Sequence, residues 1–446
     1  MNAAPRVAIV GGGMLGMSLA LRLARERFAV TIFEHAPELG GLAAPWRLGA
    51  ITWDRHYHVT LSSDDELLAL LDELDLRDRV RWKGLRSAFY IAGALHPFSS
   101  ALDFLRFPAL GTIDKVRLGL TVAHARAHRD GSALAGVGVE TWLRRESGDR
   151  VFERIWRPLL RAKLGDAYPE VAASFIWATI RRMYGASGSA TQRFGYVEGG
   201  YRTIVERMAA LLARNGVRIE LGRGVDGVVA AGDALALACG ARVERFERVV
   251  VTTPTPIAAR ICDALSQEER DRLRAIRYQG VVCASVLLDR ALGDAYVTNI
   301  ADDRIPFTGA IEMTALVDAR TFGNRHLVYL PRYADPSDRF FTAGDAEVRH
   351  AASRTLALVF PNYAPSAIRA FRVSRVPHVF ALPTVGYAGG LPGFSTTRRG
   401  LYLATSAQIV DGTLNVNETL ELSRRAAAHI VADPRFRSAA VHEATS

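Results

Sequence analysis

The chain has 446 residues, 49% hydrophobic and 23% charged, which excludes disordered and fibrous classes and allows two or three folding units of roughly 100 to 200 residues each. The formal charge of +10 raises the question of an anionic partner. Of its 56 basic residues only Lys83, Lys115 and Lys163 are lysine, and the arginines are scattered with no basic block or aromatic–basic patch, so no nucleic-acid partner is expected.

Val7–Val10 is a continuous apolar run, as in a strand buried on both faces of a parallel sheet. Gly11, Gly12 and Gly13 form a turn, Met14–Arg27 has helical periodicity through Leu15, Leu19 and Leu23, and Ala29–Phe33 reads as a second strand ending on Glu34. The uncharged stretch Val7–Leu21 breaks into strand, turn and helix and lacks a cleavage-site pattern, so it is read as structure and not as a signal peptide. Asp64–Leu76 is a helix with acidic residues in its first turn. From Phe98 to Tyr184 helices dominate, punctuated by Pro108, Pro158 and Pro169. Val217–Leu221 and Arg248–Thr253 are strands around an irregular stretch, and Gly280–Asp289 and His326–Tyr333 suggest a second sheet. Gly400–Ala404 is a short buried strand and Leu420–Val431 a closing helix. Nucleotide-fold signals at the start, middle and end predict two interleaved domains. One takes residues 1–60, 195–260 and 385–446; the other takes 61–194 and 261–384, with a helical part at about 98–190.

Gly11, Gly13 and Gly16 fit G-x-G-x-x-G between a strand and a helix. The first glycine allows the tight turn, the second lets backbone approach a pyrophosphate, and the third lets helix and sheet pack closely. The N–H groups of Met14, Leu15 and Gly16 at the helix start suit the phosphates. Glu34, 21 residues beyond Gly13, is placed to hydrogen-bond a ribose hydroxyl and to repel a 2′-phosphate. A second pair, Gly40-Gly41, follows within EHAPELGGLA.

With that pair, VAIVGGGMLGMSLALRL…EHAPELGG resembles the shared N-terminal signature of FAD-dependent oxidoreductases that include flavin-containing amine oxidases, protoporphyrinogen oxidase, phytoene desaturases and UDP-galactopyranose mutase. The segments Phe194–Val225, Val249–Pro256 and Gly400–Ile430 are similar to later blocks of that family. The resemblance implies an α/β fold, a Rossmann-like FAD-binding domain interleaved with an α+β substrate domain carrying a helical subdomain. It also implies FAD contacts at Glu34 and His35, at Gly41 and Leu42, through the backbone of Val225, at Thr253, and at Ser406, Gln408, Leu414 and Asn415, where a helix N-terminus faces the flavin. Many members carry Gly-Asp after the last strand; this chain has Thr405-Ser406.

The protein's part in flavin chemistry is orientation, electrostatics and exclusion of water, so candidates must come from clusters of ionisable groups. GAITWDRHYHV, Gly49–Val59, holds His56 and His58, two apart and facing one side if on a strand; either a proton-moving pair or a hydrogen-bonded loop is consistent with this. Lys163 stands out as an amine in an arginine-rich chain, and Glu312 as a carboxylate in an apolar strand that could face a cavity. The catalytic candidates are therefore His56, His58, Lys163 and Glu312. The resemblance implies hydride removal from a mostly apolar small molecule. A non-redox enzyme of the sugar-nucleotide mutase type and a redox-inactive flavin-binding protein stay open. Leu102–Arg129 mixes apolar and basic residues, read either as a solvated face over a core or as a peripheral membrane contact. Cys239, Cys262 and Cys283 lack metal-ligand or redox spacing, so the expectation is no metal site, a reducing cytoplasmic compartment, and no definite oligomeric state.

Overall fold

The computed structural model describes residues 4–436 apart from 129, 185–192 and 411. The outer ends of the predicted domains (1–3 and 437–446) and the end of the predicted helical part (185–190) lie outside the described residues.

Arg6–Val10 pairs on both sides, which is why its four apolar residues can all be buried. It is the middle of a five-stranded parallel sheet ordered Arg218–Glu220, Ala29–Phe33, Arg6–Val10, Arg248–Val251, Leu401–Leu403. One face, with Val7, Ile9 and Ile32, is covered by helices Met14–Arg25, Tyr201–Arg214 and Val416–Ala432. The other, with Ala8, Val10 and Phe33, lies under an antiparallel meander, Gly227–Ala231, Ala234–Cys239 and Arg242–Phe246. The meander occupies the stretch expected to be irregular. Its alternation is diluted by alanine and arginine, and Gly232 and Gly240, both left-handed, make the turns.

The second sheet has seven strands, ordered Ile368–Ala381, Tyr278–Leu288, His326–Ala334, Gly309–Glu312, Ala295–Ile300, Arg86–Ile91, Ala94–Pro97. Ile368–Ala381, the longest strand, is an edge strand carrying Arg369, Arg372, Arg375 and Pro377, and so shows no apolar pattern in sequence. One sheet face, with Val282, Ala284 and Val286, packs on helix Asp345–Val359. The opposite face, with Val281, Cys283 and Tyr329, receives the hairpin Pro45–Leu48 and Ile51–Asp54. The helices between Ala101 and Tyr184 gather around Trp142, Phe152 and Trp156. Within them a single π turn at Phe152–Trp156 precedes Pro158. A proline lacks the helical donor and clashes with the preceding turn, and the wider turn relieves this, setting the direction of Arg157–Leu164 and hence of Lys163.

Candidate active site

The glycine turn has the shape that the sequence requires. Gly11 has φ +113° and would push a Cβ to 2.6 Å from Thr252 Oγ1, and a Cβ on Gly16 would lie 1.9 Å from the Gly11 carbonyl oxygen. Gly13 instead is open: within 4 Å its Cβ would meet only Gly41 Cα, at 3.9 Å. The Gly40–Gly41 turn, both residues at positive φ, bridges to Gly13 and donates from Gly40 N to Gly12 O at 2.9 Å. Met14–Arg25 begins at Gly13 with no side-chain cap, which leaves its first N–H groups available to an anion. Glu34 Oε2 accepts from Gly12 N at 2.6 Å and Oε1 from Ala36 N at 2.8 Å, so the carboxylate shapes the turn while each oxygen keeps a lone pair for a ribose hydroxyl. His35 is exposed beside Gly224, and Val225 packs on the sheet's meander side. The hydroxyl of Thr253 and Nε of Arg55 are buried without a partner among the described residues. Uncapped donors, a glycine-walled groove and unpartnered polar atoms fit a bound dinucleotide.

The C-terminal segment uses several of its polar groups internally. The amide of Gln408 is used within its own turn: Oε1 accepts from Thr405 N at 2.8 Å, and Nε2 donates to Pro392 O at 3.0 Å. Asn415 caps the closing helix, its Oδ1 accepting from Glu418 N at 3.0 Å, so that helix N-terminus is already provided with one acceptor. Ser406 contacts the buried Tyr278, whose hydroxyl accepts from Thr255 N at 3.1 Å. Leu414 packs against the helical cluster.

Residues 54–58 link the cofactor turn to the second sheet. The strand ends at Asp54, so His56 and His58 do not lie on it. The carbonyl of Leu42 takes a hydrogen bond from His56 Nδ1 at 3.2 Å, which makes Nε2 the acceptor from Ser374 Oγ at 3.0 Å. Burial, partly offset by the Leu42 bond, lowers the His56 pKa to about 4, so the ring is neutral at pH 7 and braces two elements. His58 lies on the Tyr201 ring, centroids 4.6 Å apart, and burial together with the neighbouring His56 lowers its pKa to about 3. Its Nδ1 has no hydrogen-bond partner, Asp54 Oδ2 being 4.0 Å away. Asp54 accepts from Tyr201 N at 2.8 Å, and burial raises its pKa to about 7.

Tyr57 hydrogen-bonds Tyr333, oxygen to oxygen, at 2.9 Å, and burial, then the Tyr333 hydroxyl, keeps the Tyr57 phenol protonated far above neutral pH. Above Tyr333 stands Lys163, its Nζ 3.9 Å from that ring's centroid and 5.1 Å from that of Phe380. Lys163, Tyr57, Tyr333 and Phe380 thus converge from the helical part, the linking segment and two sheet strands. Sequence reasoning had no signal for Tyr333 or Phe380, which lie 170 and 217 positions from Lys163. Glu312 is elsewhere. Its carboxylate accepts from Leu292 N and Gly293 N, each at 3.2 Å, and so closes a turn; burial raises its pKa to about 7.

Over residues 15–431 the sequence matches the flavin containing amine oxidoreductases. The chain belongs to that family. It is a flavin-dependent oxidoreductase whose cofactor is FAD. Among curated relatives, carotenoid phi-ring synthase of Streptomyces griseus is 33% identical over 26% of this chain and 25% of its own length. Protoporphyrinogen oxidase of Nicotiana tabacum is 27% identical over 26% and 24%, and 15-cis-phytoene desaturase of Synechococcus elongatus 25% identical over 40% and 41%. The matches thus span about a quarter to two fifths of these relatives. Solved structures share the fold over nearly the whole chain. An oxidoreductase from Methanosarcina mazei superposes with TM-score 0.74 at 17% identity, covering 95% of this chain and all of that one. Cyclohexylamine oxidase from Brevibacterium oxydans gives 0.69 at 16%, covering 96% and 99%, and reduced UDP-galactopyranose mutase 0.71 at 15%, covering 97% and 98%.

Proposed function

We propose that this flavoenzyme is of oxidase or desaturase type, removing a hydride from a mostly apolar, uncharged small molecule held against Tyr57, Tyr333 and Phe380. The observation that carries this reading is Lys163 Nζ over the Tyr333 and Phe380 rings. An ammonium there repels a protonated amine and tolerates a hydrocarbon, whose dispersion contacts the rings supply. The partial relatives named for carotenoid and phytoene conversion support the same class. FAD when bound supplies the two-electron acceptor. The N–H groups of Met14, Leu15 and Gly16 would hold its pyrophosphate across Gly11 and Gly13, Glu34 its ribose, and His35 and Val225 its adenine end. Gly41, Leu42, Thr253, Ser406 and Leu414 would border the remainder. His56 and His58 position the linking segment.

The test is anaerobic bleaching of the flavin by a panel of candidates. Phytoene or a similar neutral polyene is expected to reduce it, and putrescine is not. Bleaching by amines alone refutes the substrate class. Turnover of UDP-galactopyranose only after dithionite, with no net electron transfer, establishes mutase chemistry instead. Purified protein without flavin absorbance removes the whole reading.

A further inference from the structure

We propose that, among mostly apolar molecules, this enzyme selects one that carries a neutral oxygen acceptor, a carbonyl or a hydroxyl, and that Gln279 is the residue that reads it. This rests on the substrate reading above and narrows it. A cleft of about 470 Å³ opens between the helical part and the second sheet, a size within the roughly 300–1,000 Å³ of small-molecule sites. Helix Arg157–Leu164 and the turn Gly165–Glu170 form one wall, and strands Tyr278–Leu288 and His326–Ala334 with the segment 300–308 form the other. Tyr333, the ring under Lys163, lines the cleft, which therefore reaches the rings proposed to hold the substrate. Gln279 lines it too, paired across the sheet with Phe380.

The unmet group here is an amide. Gln279 is 2% exposed, and its Nε2 is the buried side-chain atom around this cleft that has no partner among the described residues. It lies against Gly165, where a Cβ would come within 2.9 Å of it, so the residue facing the amide offers no side-chain acceptor. A buried donor left unmet is unfavourable, and a ligand that supplies the acceptor recovers the loss. The charged groups of the cleft, in contrast, are occupied. Arg161 bridges from one wall to Asp303 on the other at 2.6 Å, Glu170 bridges to Arg277 at 2.5 Å, and Arg332 meets Asp338. Asp335 accepts from Ser337 N and Oγ, and Asp302 holds Arg304. Six acids against three arginines in the lining oppose a carboxylate, and an N–H donor cannot bind an ammonium, which leaves a neutral oxygen as the matching group.

Equilibrium dialysis of the FAD-loaded protein against β-ionone, a neutral isoprenoid ketone, and against the hydrocarbon of the same skeleton tests the proposal. The wild type is expected to hold the ketone roughly tenfold more tightly than the hydrocarbon. Gln279→Leu should bring the ketone down to the affinity of the hydrocarbon and leave the hydrocarbon unchanged, and Gln279→Met should do the same. Because the donor removed has no partner in the protein, the urea midpoint of either variant should match or exceed that of the wild type. Ala162→Trp, which fills the cleft, should weaken both probes. Equal binding of ketone and hydrocarbon by the wild type overturns the role of Gln279 and leaves the substrate reading in place. A ketone preference that survives in both Gln279 variants, a urea midpoint lowered in both, or Ala162→Trp binding both probes as before has the same effect. Binding of putrescine in preference to both probes overturns the role of Gln279 and the substrate reading together.

Discussion

Gly13 and Gly16 belong to one motif, yet the structure separates their roles, and alanine at each makes the separation measurable. Gly13 has φ −72° and ψ 177°, open to any residue, and its added Cβ meets no protein atom closer than Gly41 Cα at 3.9 Å. The flavin-free fold should therefore tolerate Gly13→Ala, and could gain about 0.4–1 kcal/mol from the stiffer unfolded chain. The methyl group instead fills the groove meant for the pyrophosphate. Overpacking of that kind costs about 1–3 kcal/mol, which is about 5- to 150-fold in FAD affinity. At Gly16 the added Cβ lies 1.9 Å from the Gly11 carbonyl oxygen, so helix Met14–Arg25 must retreat by about 1 Å or more. That cost, about 1–3 kcal/mol or more, falls on the fold itself. Urea denaturation of flavin-stripped protein and FAD titration of each variant provide the two numbers. If Gly13→Ala loses as much flavin-free stability as Gly16→Ala, or binds FAD like the wild type, the assignment of the groove is wrong.

Lys163→Met is expected to slow flavin reduction by on the order of 10²-fold, with Lys163→Arg failing to rescue because a planar guanidinium cannot sit as a point charge over Tyr333; stopped-flow bleaching checks both. Glu312 has a pKa raised from 4.5 to about 7, so its favourable contribution is complete below 4.5 and lost as pH rises through about 7. Glu312→Gln should remove that loss from the pH profile of the urea midpoint; an unchanged profile refutes the cause. His56 has the opposite sign: lowered from 6.5 to about 4, it contributes fully above 6.5 and loses its contribution as pH falls through about 4, a slope that His56→Gln should abolish. Gln408→Ala unpairs buried groups at Thr405 N and Pro392 O, and a thermal or urea scan should show about 1–3 kcal/mol of destabilisation.

The cofactor half of the molecule was readable because its determinants are local. Gly11, Gly13, Gly16 and Glu34 act within one strand–turn–helix–strand unit, where spacing alone implies contact. The three strands nearest the turn were visible as buried apolar runs for the same reason. The substrate half depends on contacts that no local pattern encodes. Lys163 meets Tyr333 and Phe380 only after a helical excursion and a long edge strand are folded, and that strand, rich in arginine, lacks alternation. Groups whose partners are backbone atoms are likewise hard to read from a sequence. Glu312 looked isolated in an apolar strand, but its partners are the backbone N–H groups of Leu292 and Gly293, which carry no side-chain signature. For His56 and His58 the spacing leaves a strand face and a hydrogen-bonded loop equally open, and the strand stops at Asp54.

The discontinuous parallel sheet also has a consequence in time. Ile9 pairs with Val250, and Val250 with Tyr402, so each neighbour of the central strand on that side arrives hundreds of residues after it. Loop-closure entropy opposes such pairings, and a ribosome-bound chain lacks the partner strands altogether. The glycine turn can form early as a local unit. However, the wall given by Thr252 and the closing helix that packs on Met14–Arg25 through Ser18 and Ser423 are synthesised later. Cofactor capture is therefore a late event in the biogenesis of this chain, and flavin availability acts on nearly finished molecules and not on nascent ones.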